Sequence, residues 1–216
     1  MTPRFGRVLT AMISPFTKDD DLDTEGAQTL AKWLVDQGNE GLVIAGTTGE
    51  SPTLTHEEQI DLIAAVVEAV DVPVIAGAGS NDTKAAVELT ERCTEVGASG
   101  ILTVTPYYNR PSQQGLMSHF SAVASSTNLP VMLYDIPVRS GRKIDTSTIL
   151  QLADEVENIV ALKDAAGDVA ETARLIAAAP EGFEVYSGED SLTLSLLSVG
   201  AVGTVSVASH WSTPET

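Results

Sequence analysis

The stretch Ile159-Val-Ala-Leu-Lys-Asp-Ala-Ala-Gly167 decides the fold class of this chain. Its first four residues are apolar, as in a strand that is buried on both faces, and a lysine follows them directly. An ammonium group is costly to bury, so folded chains usually keep lysine away from such positions. Either Lys163 marks the point where the strand emerges into water, or the protein needs an amine beside an apolar wall.

Short apolar and β-branched runs of the same kind recur along the chain. Including Ile159–Leu162 there are eight, and the other seven are Val8–Ile13, Gly41–Ala45, Val72–Ala76, Gly100–Thr105, Val131–Tyr134, Glu184–Tyr186 and Val202–Val207. Between them lie stretches whose apolar residues recur at three- and four-residue spacing, which is typical of helices. Two of these helices have marked starts, a capping box at Thr55–Glu58 and an N-cap at Asp82.

Continuous apolar strands that alternate with helices predict a parallel sheet with both faces covered. Eight such units without a linker between halves favour a closed (β/α)8 TIM barrel, formed as a single domain by residues 1–216, over a doubly wound open sheet. Only nine residues follow Val207, whereas barrels of this kind typically have ~250 residues. We therefore expect the chain to be truncated before the end of the eighth helix and to lack a carboxyl-terminal helical extension.

The composition of the chain argues against some classes of binding partner. A formal net charge of −18 opposes binding to nucleic acid or to an anionic membrane surface, and no apolar run approaches the ~20 residues of a membrane span. The single cysteine, Cys93, cannot form an internal disulfide and lies in a helical pattern as a buried thiol. These features predict a cytoplasmic protein that acts on small molecules.

Polar side chains gather where the predicted strands end, which in a TIM barrel is where chemistry takes place. They belong to different strands but would share one mouth of the barrel: Thr47, Thr48, Tyr107, Tyr108, Tyr134, Arg139 and Lys163. The sequences YSGED and VSVASH end the seventh and eighth strands. One amine, several hydroxyls and a guanidinium therefore converge on the same place.

A lysine in such a mouth suits Schiff-base chemistry. The amine of a free lysine, with a pKa of ~10.4, is almost wholly protonated near neutrality, but desolvation can lower the pKa of a catalytic lysine to roughly 7–8. The neutral amine condenses with a keto acid to an iminium, which draws electrons from the adjacent carbon and needs no metal or organic cofactor. The chain has five lysines, and only Lys163 closes an apolar strand.

The other polar residues at the predicted strand ends suit the same reaction. The glycine-flanked GTTGES turn can hold a carboxylate through its amides, Tyr134 can carry protons, and Arg139 can bind a second carboxylate through a forked pair of hydrogen bonds. Each also has an ordinary structural interpretation, as a tight turn, a core tyrosine and a surface arginine. The three histidines lack the spacing of metal ligands, so no metal site is predicted.

Four motifs occur in a fixed order: GTTGES at 46–51, TVTPYYNRPSQQG at 103–115, LYDIPVRSG at 133–141 and ALKDA at 161–165. With them the chain closely resembles the dihydrodipicolinate synthase family of the N-acetylneuraminate lyase superfamily, over nearly its whole length. The resemblance implies a lyase of the class I aldolase type without a cofactor. It implies the condensation of pyruvate with L-aspartate-4-semialdehyde to 4-hydroxy-tetrahydrodipicolinate, in diaminopimelate and lysine biosynthesis.

The resemblance also implies roles for particular residues. Lys163 would form the Schiff base with pyruvate, and Thr48, helped by Thr47, would hold the pyruvate carboxylate. Tyr134 would relay protons together with Thr47 and with Tyr108, which would reach in from a neighbouring subunit of a homotetramer built as a dimer of dimers.

Three further residues complete the implied site. Arg139 would bind the carboxylate of the semialdehyde, and Gly188 and Val205 would line the site through backbone groups. Two other functions remain open: a pyruvate-dependent aldolase or lyase acting on a sugar acid, and an inactive truncated fragment that binds keto acids. Arg139 and the GTTGE sequence favour the synthase over the sugar-acid lyases.

A regulatory site is implied as well, because many family members bind lysine as a feedback inhibitor at the dimer interface. Four matching residues are present, namely Ser51, His56, Asn81 and Tyr107. Pro52 and Gln59 depart from the family pattern, and Ala85 stands where a glutamate is usual. Because that carboxylate would anchor the lysine amine, we predict weak or absent feedback.

Overall fold

Eight parallel strands close into a barrel in the computed structural model, which describes residues 2–212. They follow the order of the sequence, with β8 paired to β1: β1 Val8–Ala11, β2 Gly41–Ile44, β3 Val74–Gly77, β4 Gly100–Val104, β5 Val131–Asp135, β6 Ile159–Asp164, β7 Glu184–Ser187 and β8 Gly203–Ser206. All eight predicted strands are present with ends shifted by at most two residues. The TIM barrel is confirmed, and the open-sheet alternative is wrong.

The helices lie between the strands, as the periodicity predicts. They are α1 Thr24–Asp36, α2 His56–Ala69, α3 Thr83–Glu95, α4 Gln113–Ser125, α5 Pro137–Ser140, α6 Thr146–Glu155, α7 Val169–Ala178 and α8 Thr193–Ser198. The capping box of Thr55 and Glu58 begins α2, and the Asp82 side chain accepts a hydrogen bond from Lys84 N at the start of α3. Both predicted helix starts are confirmed. No helix within residues 2–212 is long and apolar enough to cross a bilayer.

The strands read as continuous apolar runs because both of their faces are buried. One face of each strand contributes to a core inside the barrel, and the other packs against the helices. The register pairs Lys163 with Tyr134 of β5 on one side and with Tyr186 of β7 on the other. Lys163 lies within β6, which continues to Asp164, so the expectation that it closes the strand is wrong by one residue.

The amino end of the barrel is sealed by two aromatic side chains. Phe5 and Tyr186 are fully buried with their ring centroids 6.4 Å apart. The Tyr186 hydroxyl donates to Glu184 Oε2 at 2.8 Å and lies 3.4 Å from the Phe5 amide, which donates to it. A Cβ on Gly100, at the start of β4, would lie 2.7 Å from the Phe5 ring, so the plug is tightly packed.

The outer face of the β8–β1 pair carries a groove of about 380 Å³. After β8, the described chain forms a short 3-10 turn at Ala208–His210. Among the residues that line the groove are Val8, Leu197, Val202 and Ala208.

Candidate active site

Lys163 points into the barrel beside an aromatic ring. Its side chain is buried, with the residue only 6% exposed, and its Nζ lies 4.2 Å from the centroid of the Tyr134 ring. Burial lowers the pKa of Lys163 to about 8, with a further lowering from Arg139, while the carboxylate of Asp190 opposes both. A substantial fraction of this amine is therefore neutral, and able to attack a carbonyl, at mildly alkaline pH.

Gly188, just past the end of β7, leaves room for the lysine side chain. A Cβ at this position would lie 2.9 Å from Lys163 Cγ and 3.0 Å from Lys163 Cε, closer than real Cβ atoms normally approach. The Gly188 amide donates to the carbonyl of Asp164 at 2.7 Å, which ties this turn to the end of β6. Glycine, which has no Cβ, lets the turn pass this close to the Lys163 side chain.

Tyr134, at the end of β5, is a candidate proton carrier. Burial raises the pKa of Tyr134, whereas a hydrogen bond to the Thr47 side chain and the charge of Arg139 lower it. The Tyr134 side chain therefore contacts Thr47 through its hydroxyl and the Lys163 amine through the face of its ring.

The turn after β2 is locked in an unusual conformation. Ala45 has a left-handed φ of 54°, and a Cβ on Gly77 of β3 would lie 2.3 Å from the Ala45 carbonyl oxygen. The Ser14 hydroxyl donates to the Gly49 carbonyl at 2.6 Å from the other side. Backbone strain held by close packing is typical of functional turns, and here it fixes the position of Thr47 and Thr48.

These groups surround one cavity of about 240 Å³ at the carboxyl end of the barrel. It is lined by seven residues that the sequence predicts for the site: Thr47, Thr48, Tyr134, Arg139, Lys163, Gly188 and Val205. The structure thus brings together every predicted catalytic and substrate-binding residue except Tyr108. Tyr108 lies on the loop after β4, is 90% exposed and has a left-handed φ of 73°.

Sequence reasoning missed two acidic residues that also line this cavity, Glu189 and Asp190. The Asp190 carboxylate accepts hydrogen bonds from Val207 N at 3.1 Å and from Ala208 N at 3.0 Å, so it ties the loops after β7 and β8 together. Their place directly after β7, in YSGED, was the available signal. Asp190 favours the charged form of Lys163 and so limits how far burial lowers the pKa of that amine.

A second cavity of about 390 Å³ adjoins the first and shares Thr47 and Arg139 with it. Three of the four predicted regulatory residues line it, Ser51, His56 and Tyr107. The fourth, Asn81, is not among the lining residues, although its carbonyl accepts a hydrogen bond from Asn109 Nδ2 in the loop after β4. Among the described residues that line the cavity, none carries a carboxylate side chain.

The remaining titratable candidates have structural surroundings. Burial raises the pKa of the Cys93 thiol to about 12, so this cysteine stays protonated in the core, as predicted. Within residues 2–212, no group of three or more histidine, cysteine, aspartate or glutamate side chains is placed to hold a metal ion.

Comparison with known proteins gives one consistent result. The profile of the Dihydrodipicolinate synthetase family matches residues 4–215. The 4-hydroxy-tetrahydrodipicolinate synthase of Moorella thermoacetica is 53% identical over 209 residues, which cover 96% of this chain and 71% of that protein. The 4-hydroxy-tetrahydrodipicolinate synthase 2 of Streptomyces coelicolor is 56% identical over 98% of this chain and 70% of its own length.

A solved structure agrees with these relatives. The crystal structure of the Cyanidioschyzon merolae enzyme with lysine bound superimposes with a TM-score of 0.97 at 46% identity, covering 99% of this chain and 74% of that one. The chain thus spans about 70% of the length of the curated relatives that it matches.

Proposed function

This chain belongs to the dihydrodipicolinate synthetase family, and on that premise we propose that it condenses pyruvate with L-aspartate-4-semialdehyde to 4-hydroxy-tetrahydrodipicolinate. It is a lyase of the class I aldolase type, and its product feeds diaminopimelate and lysine biosynthesis. The observation that carries this proposal is the buried amine of Lys163, with a pKa lowered to about 8, beside Tyr134 and the threonine turn.

The chemistry follows from that amine. Neutral Lys163 attacks the keto carbon of pyruvate, the resulting carbinolamine loses water, and an iminium forms. The iminium draws electrons from the methyl carbon, which gives up a proton to become an enamine. The enamine carbon attacks the aldehyde carbon of the semialdehyde, so that a carbon–carbon bond forms and the aldehyde oxygen becomes a hydroxyl. The amino group of the semialdehyde portion then attacks the iminium carbon, which closes the ring and releases Lys163.

The surrounding residues supply protons and bind carboxylates. Thr48, with Thr47, holds the pyruvate carboxylate at the strained turn. Tyr134 passes protons to and from the carbinolamine through its contact with Thr47. Arg139 binds the carboxylate of the semialdehyde, and Gly188 and Val205 border the substrates through their backbone groups.

In this proposal, Tyr108 acts in the active site of a neighbouring subunit. Tyr108 is 90% exposed although its backbone is held in a left-handed conformation, which supports a role for its side chain in a neighbouring subunit. The proposed assembly is a homotetramer built from two dimers. It would act in the cytoplasm, in agreement with a sole cysteine that is buried and free.

Trapping with borohydride tests the proposal. Incubation with pyruvate and borohydride should add the mass of a reduced pyruvate adduct to the peptide containing Lys163, and Lys163→Ala should abolish the adduct. The trapping rate should rise with pH up to about 8, because the neutral amine becomes available only as the pH approaches the pKa of Lys163. An adduct on another lysine, or none at any pH, would contradict the proposed chemistry.

Substrate assays separate the competing functions. Consumption of aspartate semialdehyde and pyruvate by protein that has not been treated with borohydride identifies the synthase, whereas turnover of a sugar acid would identify a related lyase. Trapping without any condensation would identify a keto-acid-binding protein instead.

The lining of the second cavity bears on whether lysine inhibits the protein. The chain has Ala85 where a glutamate is usual, and the described lining of the cavity has no carboxylate to pair with the amines of lysine. We therefore expect lysine to inhibit weakly or not at all, with an inhibition constant in the millimolar range or above. An inhibition constant for lysine far below that range, from initial rates at several lysine concentrations, would overturn this prediction.

A further inference from the structure

The strand ends that carry Tyr134 and Lys163 also carry two carboxylates on their opposite face. Successive residues of a strand point to opposite sides, so Asp135 and Asp164 lie outside the barrel when Tyr134 and Lys163 lie inside. The register pairs Asp135 with Asp164, just as it pairs the two catalytic residues. Both aspartates are buried, at 1% and 6% exposure. Two adjacent buried anions therefore lie directly behind the catalytic pair.

The ammonium group of Lys143 pairs with Asp135 and with a third carboxylate, that of Glu171. Lys143 Nζ lies 3.3 Å from Asp135 Oδ2 and 3.5 Å from Glu171 Oε2 of α7. Asp135 Oδ1 also accepts from Ile144 N at 3.2 Å, which anchors the segment that follows α5 and Arg139. Lys143 therefore links β5, α7 and the segment between α5 and α6.

Asp164 is held by its own set of donors. Its Oδ1 accepts from Ala166 N at 2.9 Å and its Oδ2 from the Thr172 hydroxyl at 2.5 Å. The main chain joins the two aspartates as well, because Ala165 N donates to the Asp135 carbonyl at 2.9 Å. Displacement of either carboxylate would thus move the ends of β5 and β6 together.

We propose that Lys143 is a positioning residue for the reaction: it neutralises the carboxylates behind β5 and β6 and so keeps Tyr134 and Lys163 in contact inside the barrel. This inference rests on the proposed function, because it assigns Lys143 an effect on Schiff-base formation. Lys143 touches no substrate and acts only through the two strands.

The electrostatics of the cluster explain why the cation is needed. Around Asp135 lie the carboxylates of Asp164 on β6 and Glu171 on α7, and Asp168 at the start of α7 lines the same small cavity. Even with Lys143 present, burial raises the pKa of Asp135 to about 6. Without the ammonium group, the ionised form of Asp135 would turn toward water, and turning would pull the end of β5 outward.

The test compares Lys143→Met with the wild-type protein by the rate of borohydride trapping with pyruvate between pH 6 and 8. We expect the variant to trap roughly tenfold more slowly at pH 8, since small displacements of reacting groups cost large factors in rate. The ratio of variant to wild-type rate should return toward one at pH 6, because Asp135 is then protonated and needs no cation. Lys143→Met combined with Asp135→Asn should keep a ratio near one at every pH, because it removes both charges.

Controls distinguish this effect from a loss of folding. Lys84→Met removes an exposed lysine that pairs with Glu88 on α3, and its ratio should stay at one. If Lys143→Met does not fold, Lys143→Gln, which can still donate to Asp135 without a charge, should show the same dependence on pH. A ratio for the folded variant that stays near one at all pH values, even with a lower melting temperature, would reduce Lys143 to a structural residue. Failure of the wild-type protein to trap pyruvate would refute the proposed function instead.

Discussion

At the scale of single residues, the site depends on how closely Gly188 approaches Lys163. Gly188→Ala places a methyl group 2.9–3.0 Å from the lysine side chain, which is flexible and can swing away while the fold persists. We expect normal circular dichroism but pyruvate trapping reduced by roughly a hundredfold, because the amine leaves its reactive position. Trapping at the wild-type rate would mean that the lysine tolerates displacement.

The residues that are proposed to carry out the chemistry could be found from the sequence, because they lie at the carboxyl ends of predicted strands. Lys163, Tyr134 and the threonine turn could each be placed by the position of an apolar run. Glu189 was missed because a carboxylate next to a glycine in a loop resembles a solvated turn. The contact of Lys143 with Asp135 could not be predicted, since it depends on how a loop folds back over the outside of a strand.

At the scale of elements, α4 carries a histidine that its packing keeps neutral. His119 is buried against α3, with Nδ1 2.9 Å from the Thr83 hydroxyl and with no partner on Nε2 among the described residues. Burial lowers the pKa of His119 to about 4 from an ordinary value of 6.5. The folded state therefore binds this proton less readily than the unfolded chain does.

The sign of this shift predicts a loss of stability in acid. The contribution of His119 is complete above pH 6.5 and is lost as the pH falls toward 4, by roughly 3 kcal/mol in total. Urea unfolding at pH 7 and pH 4.5 should thus show a smaller difference in the free energy of unfolding for His119→Met than for the wild-type protein. Equal differences would mean that other groups dominate the acid response.

The ends of the strands show where local sequence patterns no longer predict the structure. The strands were predicted within two residues because apolar runs and helix caps, such as the one at Thr55, are local signals. The extension of β6 past Lys163 to Asp164 was not predicted. A charged pair normally ends a strand, and only the surrounding barrel provides partners for both side chains.

At the scale of the whole molecule, the exposed Tyr108 predicts that active sites are completed between subunits. If Tyr108 acts in a neighbouring site, a mixture of Lys163→Ala and Tyr108→Phe chains should recover activity that neither variant has alone. A mixed dimer would contain one site with both an intact lysine and an intact tyrosine. The measurement is the condensation rate after the two variants are mixed and allowed to exchange subunits.

The matched controls are the separate variants at the same total concentration, together with light scattering to establish that subunits associate. Association without recovered activity would place Tyr108 outside the neighbouring site. The sequence could suggest this arrangement only through the family resemblance, because a lone chain gives no information about what its exposed loops contact.

The plug of Phe5 and Tyr186 has a kinetic consequence. Since packed side chains fill the interior of the barrel down to this end, both reactants would enter, and the product would leave, through the opening at the carboxyl ends of the strands. In the proposed reaction, pyruvate must reach Lys163 and become covalently attached before the semialdehyde can occupy the space above it. Initial velocities should accordingly show that pyruvate binds before the semialdehyde. An inhibitor bound at the opening of the cavity should slow both substrate binding and product release.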